Sequence, residues 1–369
     1  MLLFGIMAAG IVLPDKEKSE EENRMLAQKP KATVESVTSG DFMEEFESYV
    51  SDQFAGRSGW RSAKVFLSRL GGSKMENGVY IGRKGQLMEE IDVPREEDLA
   101  QNINAVNQFA ADYPEVSTSV MLVPDSACVL DEELPLFAKP ADQKEMIGGV
   151  KENLDDPVKW IDAVSALEEH RDEKIYYKTD HHWTSLGAFY AFQKAAPVLG
   201  IEEDVKKRFK AYPVSTTFNG VLASTSGVHL DEEEQIDIYV PKESEESGQE
   251  MIVDYVEEGL RKSTIYDTSM LKTKGQYAVF MGGNRSIIDI RTLSPGKERL
   301  LLVKDSYANC FIQFLTPYFR EIVIVDPRYY GGTLQDVMHT YRITDVLFLY
   351  RGNTFFTDNH IPAVVQKAE

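Results

Sequence analysis

The chain has 369 residues, 43% of them hydrophobic and 27% charged, with 60 Asp and Glu against 40 Lys and Arg for a formal net charge of −20. That composition excludes wholesale disorder and a disulfide-stapled miniature scaffold, and the length suits one large domain with a smaller appendage. Twenty excess negative charges repel phosphate backbones, which argues against nucleic acid as a partner.

Leu2 to Leu13 is an unbroken run of twelve apolar or small residues, followed by the polar stretch Asp15 to Glu22. A membrane span needs about twenty apolar residues, so the run suits a signal-peptide core or the tail of an anchor. The expectation is export, with residues 1–13 as a truncated signal anchor. Residues 14–94 form an N-terminal region. It opens as a polar tether, and Phe42, Phe46, Tyr49 and Val50, then Trp60, Val65, Phe66 and Leu70, recur at helical spacing around Gly56 and Gly59. That pattern predicts an amphipathic helical pair. Tyr80 to Leu87 reads as a hairpin turning at Arg83 to Gly85.

From residue 95 to 369 helices and strands alternate. The spacing predicts helices over 97–113, 160–170, 185–199, 308–319 and 334–341. Strands are predicted over 119–123, 175–178, 277–281, 300–304, 322–325 and 346–350. Leu300-Leu301-Leu302-Val303 and Ile322-Val323-Ile324-Val325 do not alternate apolar with polar, the mark of strands buried on both faces of a parallel sheet. The expected fold class is therefore α/β, three layers around a mainly parallel sheet. The acidic stretch 231–263 reads as a solvated loop or hairpin insertion. Cys128 and Cys310 fit no metal spacing, and each sits in an apolar run, so they read as small buried hydrophobes.

Two segments 126 residues apart can carry chemistry. Lys178-Thr179-Asp180-His181-His182-Trp183-Thr184 lies between a predicted strand and a helix that Thr184 would cap. In an extended segment Asp180 and His182 share a face, and a carboxylate beside an imidazole fixes its tautomer and stabilises its protonated form. Leu300 to Asn309 is a buried strand running into a helix with Ser306 at the junction. In open α/β sheets that is where active sites lie. An isolated Asp305-Ser306 would otherwise read as a turn former and a helix cap. Gly282-Gly283-Asn284, after a predicted strand, would bring one backbone N–H and one amide to the same edge. Asp180, His181, His182 and His229 supply metal-ligand types, but adjacent histidines of an extended chain point to opposite faces, and no second Asp/His cluster supports a metal site.

Asp180-His181-His182-Trp183 resembles the signature of the DHHW protein family, itself similar to alginate O-acetylation proteins of the AlgJ and AlgX type. Ser19 to Arg24, Phe218-Asn219-Gly220, Gly282-Gly283-Asn284, Lys304 to Asn309 and Val325 to Tyr330 resemble further family segments in the same order. The resemblance implies an SGNH-hydrolase-like domain over 95–369, with Ser306 as nucleophile, His182 as general base and Asp180 as its orienting carboxylate. Lys304 stands where glycine is usual. Gly283, Asn284, Tyr307 and Arg328 are the expected oxyanion or substrate contacts, and His181, Trp183 and Asn309 are expected walls. The implied activity is an extracytoplasmic O-acetyltransferase or acetylesterase that modifies a cell-envelope polysaccharide or exopolysaccharide through an acyl-serine. It would need no cofactor and no metal. Its acetyl donor would be supplied by a membrane-bound O-acyltransferase partner. The alternative is a non-catalytic polysaccharide-binding component of an acetylation complex.

Overall fold

The computed structural model describes residues 13–19, 24–228, 230, 233–244 and 250–365. The expected anchor, apart from Leu13, lies outside the described residues, as do His229, residues 20–23 of one family segment and parts of the acidic stretch. Among the described residues no helix is long and apolar enough to cross a membrane.

The main sheet has eight strands: β1 (Ser117–Val123), β2 (Lys159–Trp160), β3 (Met251–Tyr255), β4 (Leu260–Lys262), β5 (Ile287–Thr292), β6 (Arg299–Lys304), β7 (Glu321–Val325) and β8 (Asp345–Arg351). Their spatial order is β4-β3-β5-β7-β6-β8-β1-β2. The run from β7 to β2 is parallel throughout. On the other side β5 pairs antiparallel with β7, and β3 and β4 extend that antiparallel edge. The sheet is therefore mixed, and the expected parallel pattern describes its five-strand half. The chain between β3 and β4 is a short turn, which joins antiparallel neighbours and is too short for a parallel crossover.

Successive residues of a strand point to opposite faces, and β6 shows what that builds. Leu300 and Leu302 join a core with Ala188, Phe192 and Ala195 of a helix, while Leu301 and Val303 join a second core with Val106, Phe109, Val337 and Met338. These helices form the outer layers. In chain order the helices used below are α1 (Asp41–Asp52), α2 (Arg57–Leu70), α3 (Glu96–Asp112), α4 (Ser185–Val198), α5 (Val221–Ser226) and α6 (Leu334–Tyr341). Thr184 caps α4 by accepting from the Gly187 N–H, as the sequence suggests. A small antiparallel sheet (Met75–Glu76, Val79–Ile81 and Leu87–Glu89) turns at Arg83–Gly85. It packs beside the main domain, where the Leu87 N–H donates to the Lys178 carbonyl at 2.9 Å.

Three expected elements take another form. The strand expected at 175–178 is a single bridge between Tyr176 and Trp183, because the N–H groups of Lys178 and Thr179 go to the Glu234 carboxylate instead of a neighbouring strand. The strand expected at 277–281 is a 3₁₀ turn over Gln276–Val279. Met281, Gly282 and Gly283 follow with φ of 64°, 70° and 90°, a left-handed run that no strand can contain. The helix expected over 308–319 is a 3₁₀ turn (Ser306–Cys310) and one α-turn (Ile312–Leu315). It has no solvent face to favour an amphipathic helix, since Tyr307, Ala308, Phe311, Ile312, Phe314 and Leu315 are all buried. The acidic stretch holds β3, β4 and the strand Glu234–Pro241, which pairs with Phe209–Phe218 in a long antiparallel ribbon.

Candidate active site

Ser306 lies two residues past the C-terminal end of β6, with Asp305 between them. Asp305, not Ser306, is the cap. Its carboxylate accepts from the Tyr307 N–H at 2.9 Å and from the Arg351 N–H at 3.1 Å, tying the turn to the end of β8. Ser306 itself stays half-buried, and its N–H has no acceptor among the described residues.

The Asp180-His181-His182-Trp183 segment reaches the serine from a turn. Glu234 accepts from the backbone N–H of Lys178 at 2.7 Å and of Thr179 at 2.8 Å, and from the Thr179 hydroxyl. The Thr179 hydroxyl oxygen accepts from the Gly220 N–H at 2.9 Å, and Asp180 Oδ2 accepts from the Val221 N–H at 2.9 Å. Gly220 must be glycine here: a Cβ on it would stand 2.3 Å from the Asp180 Cβ. Asp180 is thus held by the segment Phe218-Asn219-Gly220 and the first residue of α5.

With the carboxylate fixed, Asp180 Oδ1 accepts from the His182 backbone N–H at 3.0 Å and lies 2.6 Å from His182 Nδ1. His182 Nε2 lies 2.9 Å from Ser306 Oγ. The carboxylate fixes the tautomer, with the proton on Nδ1 and the lone pair of Nε2 facing the serine hydroxyl. The structure therefore brings Asp180, His182 and Ser306 together in that order. Burial pushes the Asp180 carboxyl up, but the two adjacent imidazoles and its hydrogen bonds outweigh burial and hold it well below the usual carboxylate range. Burial, together with the neighbouring His182, lowers His181 to about 4, so at neutral pH that ring is uncharged.

Aromatic rings wall this chain. Tyr277 stacks on the His182 ring with centroids 3.8 Å apart, and its hydroxyl lies 3.4 Å from the Ser306 carbonyl oxygen. The Trp183 indole N–H donates to the Tyr307 carbonyl at 2.9 Å, and the Tyr307 hydroxyl donates to the His181 carbonyl. Trp183 and Tyr307 are fully buried, so they lock the two segments together. Tyr307 cannot offer substrate a polar group, because its hydroxyl and its N–H are both engaged.

The other expected substrate contacts separate. The Gly283 N–H is spent on the Phe280 carbonyl at 3.2 Å. Arg328 is a two-pronged partner of Asp326, at 2.8 and 2.7 Å, and its charge is directed there. Asn284 remains: its Oδ1 is engaged from inside by Lys304 and Asn309, while its residue is part-exposed. Cys128 and Cys310 are free and buried, and burial pushes both thiols up to about 12, which makes them unreactive. Asp180, His181 and His182 do offer three ligand atoms within 4.8 Å of one another. Both Asp180 oxygens and both His182 nitrogens are already used in the chain just described, so an ion there would have to dismantle it.

Sequence reasoning missed Tyr277, Glu234 and Arg351. Glu234 was hidden in the acidic run Asp231 to Glu234, which reads as solvated. Gly220 carried a signal in the segment Phe218-Asn219-Gly220, but its task is visible only when Asp180 lies against it.

A family model described as DHHW protein matches residues 139–325, just over half of the chain. A DHHW family protein from Eubacterium siraeum superposes with a TM-score of 0.65 at 24% identity, covering 77% of this chain and 97% of that one. PatB1 of Bacillus cereus, solved with a sulfonyl adduct, superposes with a TM-score of 0.62 at 20% identity, covering 75% and 95%. The O-acetyltransferase domain of Pseudomonas putida AlgJ aligns more loosely, with a TM-score of 0.47 at 16% identity over 75% and 92%. No curated protein sequence matches the chain.

Proposed function

The chain belongs to the DHHW protein family, and from that premise we propose that it is a serine acyl-transfer enzyme of SGNH-hydrolase-like fold, an extracytoplasmic O-acetyltransferase or acetylesterase acting on a cell-envelope polysaccharide or exopolysaccharide. One observation carries the reading: the unbroken path Asp180 Oδ1, His182 Nδ1, His182 Nε2 and Ser306 Oγ, with links of 2.6 and 2.9 Å. An imidazole that is oriented on one side and touching a serine hydroxyl on the other is the minimum machinery for nucleophilic catalysis at an alcohol.

His182 Nε2 takes the Ser306 proton as Oγ bonds to the acetyl carbonyl carbon. The negative charge gathers on the carbonyl oxygen. Asp180, held ionised, offsets the charge of the imidazolium that forms. When the tetrahedral adduct collapses, the bond to the donor's leaving group breaks and His182 returns its proton to that group. The acetyl group now sits on Ser306. A sugar hydroxyl then gives its proton to His182 and attacks the acetyl-serine, and the returning proton restores Ser306. If water takes the place of the sugar, the same steps hydrolyse the ester. Transfer thus depends on acceptor binding and water exclusion. Oxyanion donors are the N–H of Ser306, which has no acceptor among the described residues, and the amide of Asn284.

The sulfonyl adduct described for PatB1 supports the use of a sulfonyl reagent here, as a probe of an activated serine. The apolar run Leu2 to Leu13 supports a location outside the cytoplasm with the N-terminus at the membrane. A membrane-bound O-acyltransferase supplying acetyl groups fits that placement.

The test is the purified chain on a small activated acetyl ester. Wild type is expected to release the leaving group with a burst of acetyl-enzyme, and Ser306→Ala is expected to lose at least about 10³-fold in kcat. A wild type that shows no turnover and takes no sulfonyl label on Ser306, yet binds acetylated polysaccharide, would establish the non-catalytic reading.

A further inference from the structure

Lys304 is the last residue of β6 and is fully buried, an environment lysine almost never occupies unpaired. Its ammonium lies 3.2 Å from Asp326 Oδ2 and 3.3 Å from Asn284 Oδ1. Asp326, at the end of β7, is also fully buried and is gripped by the Arg328 guanidinium. A buried ion pair of this kind gives little net stability, because desolvating both charges offsets their attraction. What the lysine reaches besides Asp326 is therefore the informative contact.

Asn284 arrives at that contact through the left-handed run Met281, Gly282 and Gly283. Its Oδ1 also accepts from Asn309 Nδ2 at 3.0 Å. Asn309 lies three residues beyond Ser306 in one 3₁₀ turn, so it shares the serine's face of that turn. Two asparagines alone could pair either way round: rotating both amides by 180° exchanges donor and acceptor and leaves one hydrogen bond in each arrangement. The two arrangements differ in what Asn284 presents outward. In one its NH₂ faces out. In the other its carbonyl oxygen does, and a developing oxyanion would be repelled. An ammonium has three donors and no acceptor, so Lys304 permits only the first. Asn309 Oδ1, buried with no partner among the described residues, is the polar group left over by that forced choice.

We propose that Lys304 is a positioning residue: clamped by Asp326 and Arg328, it holds the Asn284 amide with its oxygen inward and its NH₂ toward the mouth beside Ser306, presetting an oxyanion donor. The inference rests on the acyl-transfer reading above. It joins the segments around Lys304, Asn284 and Arg328 in one device, and it moves Arg328 from the expected substrate contact to the outer end of the clamp.

The experiment is a double-mutant cycle on the full chain with a small acetyl ester, alongside thermal unfolding. Asn284→Ala is expected to lower kcat about 10²-fold or more with little change in KM. Lys304→Met is expected to lower kcat about 10- to 100-fold, again with KM unchanged, but to cost nothing further in the Asn284→Ala background. A merely structural lysine would instead give the same loss in both backgrounds, or none in either, and either result overturns the inference. If Lys304→Met does not fold, Lys304→Met combined with Asp326→Leu removes both charges and takes its place in the cycle, with the same expected non-additivity. Ser306→Ala separates the two levels. If it keeps wild-type turnover, the acyl-serine reading fails. If it is inactive while the Lys304 loss is additive with that of Asn284, only the inference fails.

Discussion

Ser306 stands at the end of a strand whose residues from Leu300 to Lys304 are all buried and whose backbone pairs with parallel neighbours on both sides. Asp180 and His182 stand on a turn that belongs to no strand and is held by Glu234, Gly220 and Val221, 41 to 56 residues further along the chain. One half of the site is therefore built into the sheet, where position follows from hydrophobic burial. The other is suspended on hydrogen bonds from a ribbon and a short helix, where position follows from local fit. Damage to the first should be felt as lost stability, and damage to the second as lost geometry.

The largest effect is expected on the suspended side. Gly220→Ala places a methyl group 2.3 Å from the Asp180 Cβ, a contact that cannot exist without a backbone shift. The carboxylate must leave His182 Nδ1, and with it goes control of the tautomer. We expect kcat to fall by roughly 10²- to 10⁴-fold, with a stability cost of only about 1–3 kcal/mol. Steady-state kinetics beside urea unfolding measure both. Retention of near wild-type kcat would show that the turn can yield and that the contrast between the halves is false.

On the sheet side the order reverses. Leu302→Ala empties a fully buried position of β6, which typically costs about 2–5 kcal/mol. Backbone pairing with β7 and β8 is untouched by a side-chain truncation. We therefore expect kcat per folded molecule, measured well below the unfolding transition, to stay within about threefold of wild type. A large loss of kcat would mean that Ser306 depends on core packing more finely than the strand pairing suggests.

The same contrast explains what could be read from the amino-acid order. Runs such as Leu300 to Val303 are buried on both faces, so a local pattern reports a tertiary fact, and the strand, its neighbours and the place of Ser306 were legible. The pairing of Asp180 with His182 was legible too, but for a reason the structure alters: the expectation rested on an extended segment after a strand, whereas a turn pinned by Glu234 makes the contact. Glu234 sits in a run of four acids, and nothing local marks it as the one whose carboxylate takes the Lys178 and Thr179 N–H groups. Tyr277 was invisible as the partner of His182 because stacking between residues 95 positions apart leaves no periodic trace. Arg328 was misplaced for a related reason. Its expected contact came from the resemblance of Val325 to Tyr330, and nothing in that segment shows that Asp326 is buried and takes both prongs of the guanidinium.

The smallest effect concerns pH and again falls on the suspended side. His181 has its titration lowered to about 4 by burial and by the neighbouring His182, with Asp180, Arg351 and Glu89 also facing it. In the unfolded chain a histidine titrates near 6.5. Between those values the unfolded chain binds more protons than the folded one, so stability rises with pH across that window and falls as the solution is acidified from about 6.5 to about 4. Asp180 behaves differently. Its carboxyl is held below the usual range, so its contribution is complete above about 4 and is lost only as pH falls further. His181→Asn should flatten the limb between pH 6.5 and 4, by on the order of 2 kcal/mol, and leave the steeper loss below pH 4 in place. The His181 carbonyl, which accepts from Tyr307, is kept by that substitution. Urea midpoints at pH 7, 5.5 and 4.5 for wild type and variant measure it. Parallel curves for the two proteins would assign the acid limb to another group and remove His181 from the electrostatics of the turn.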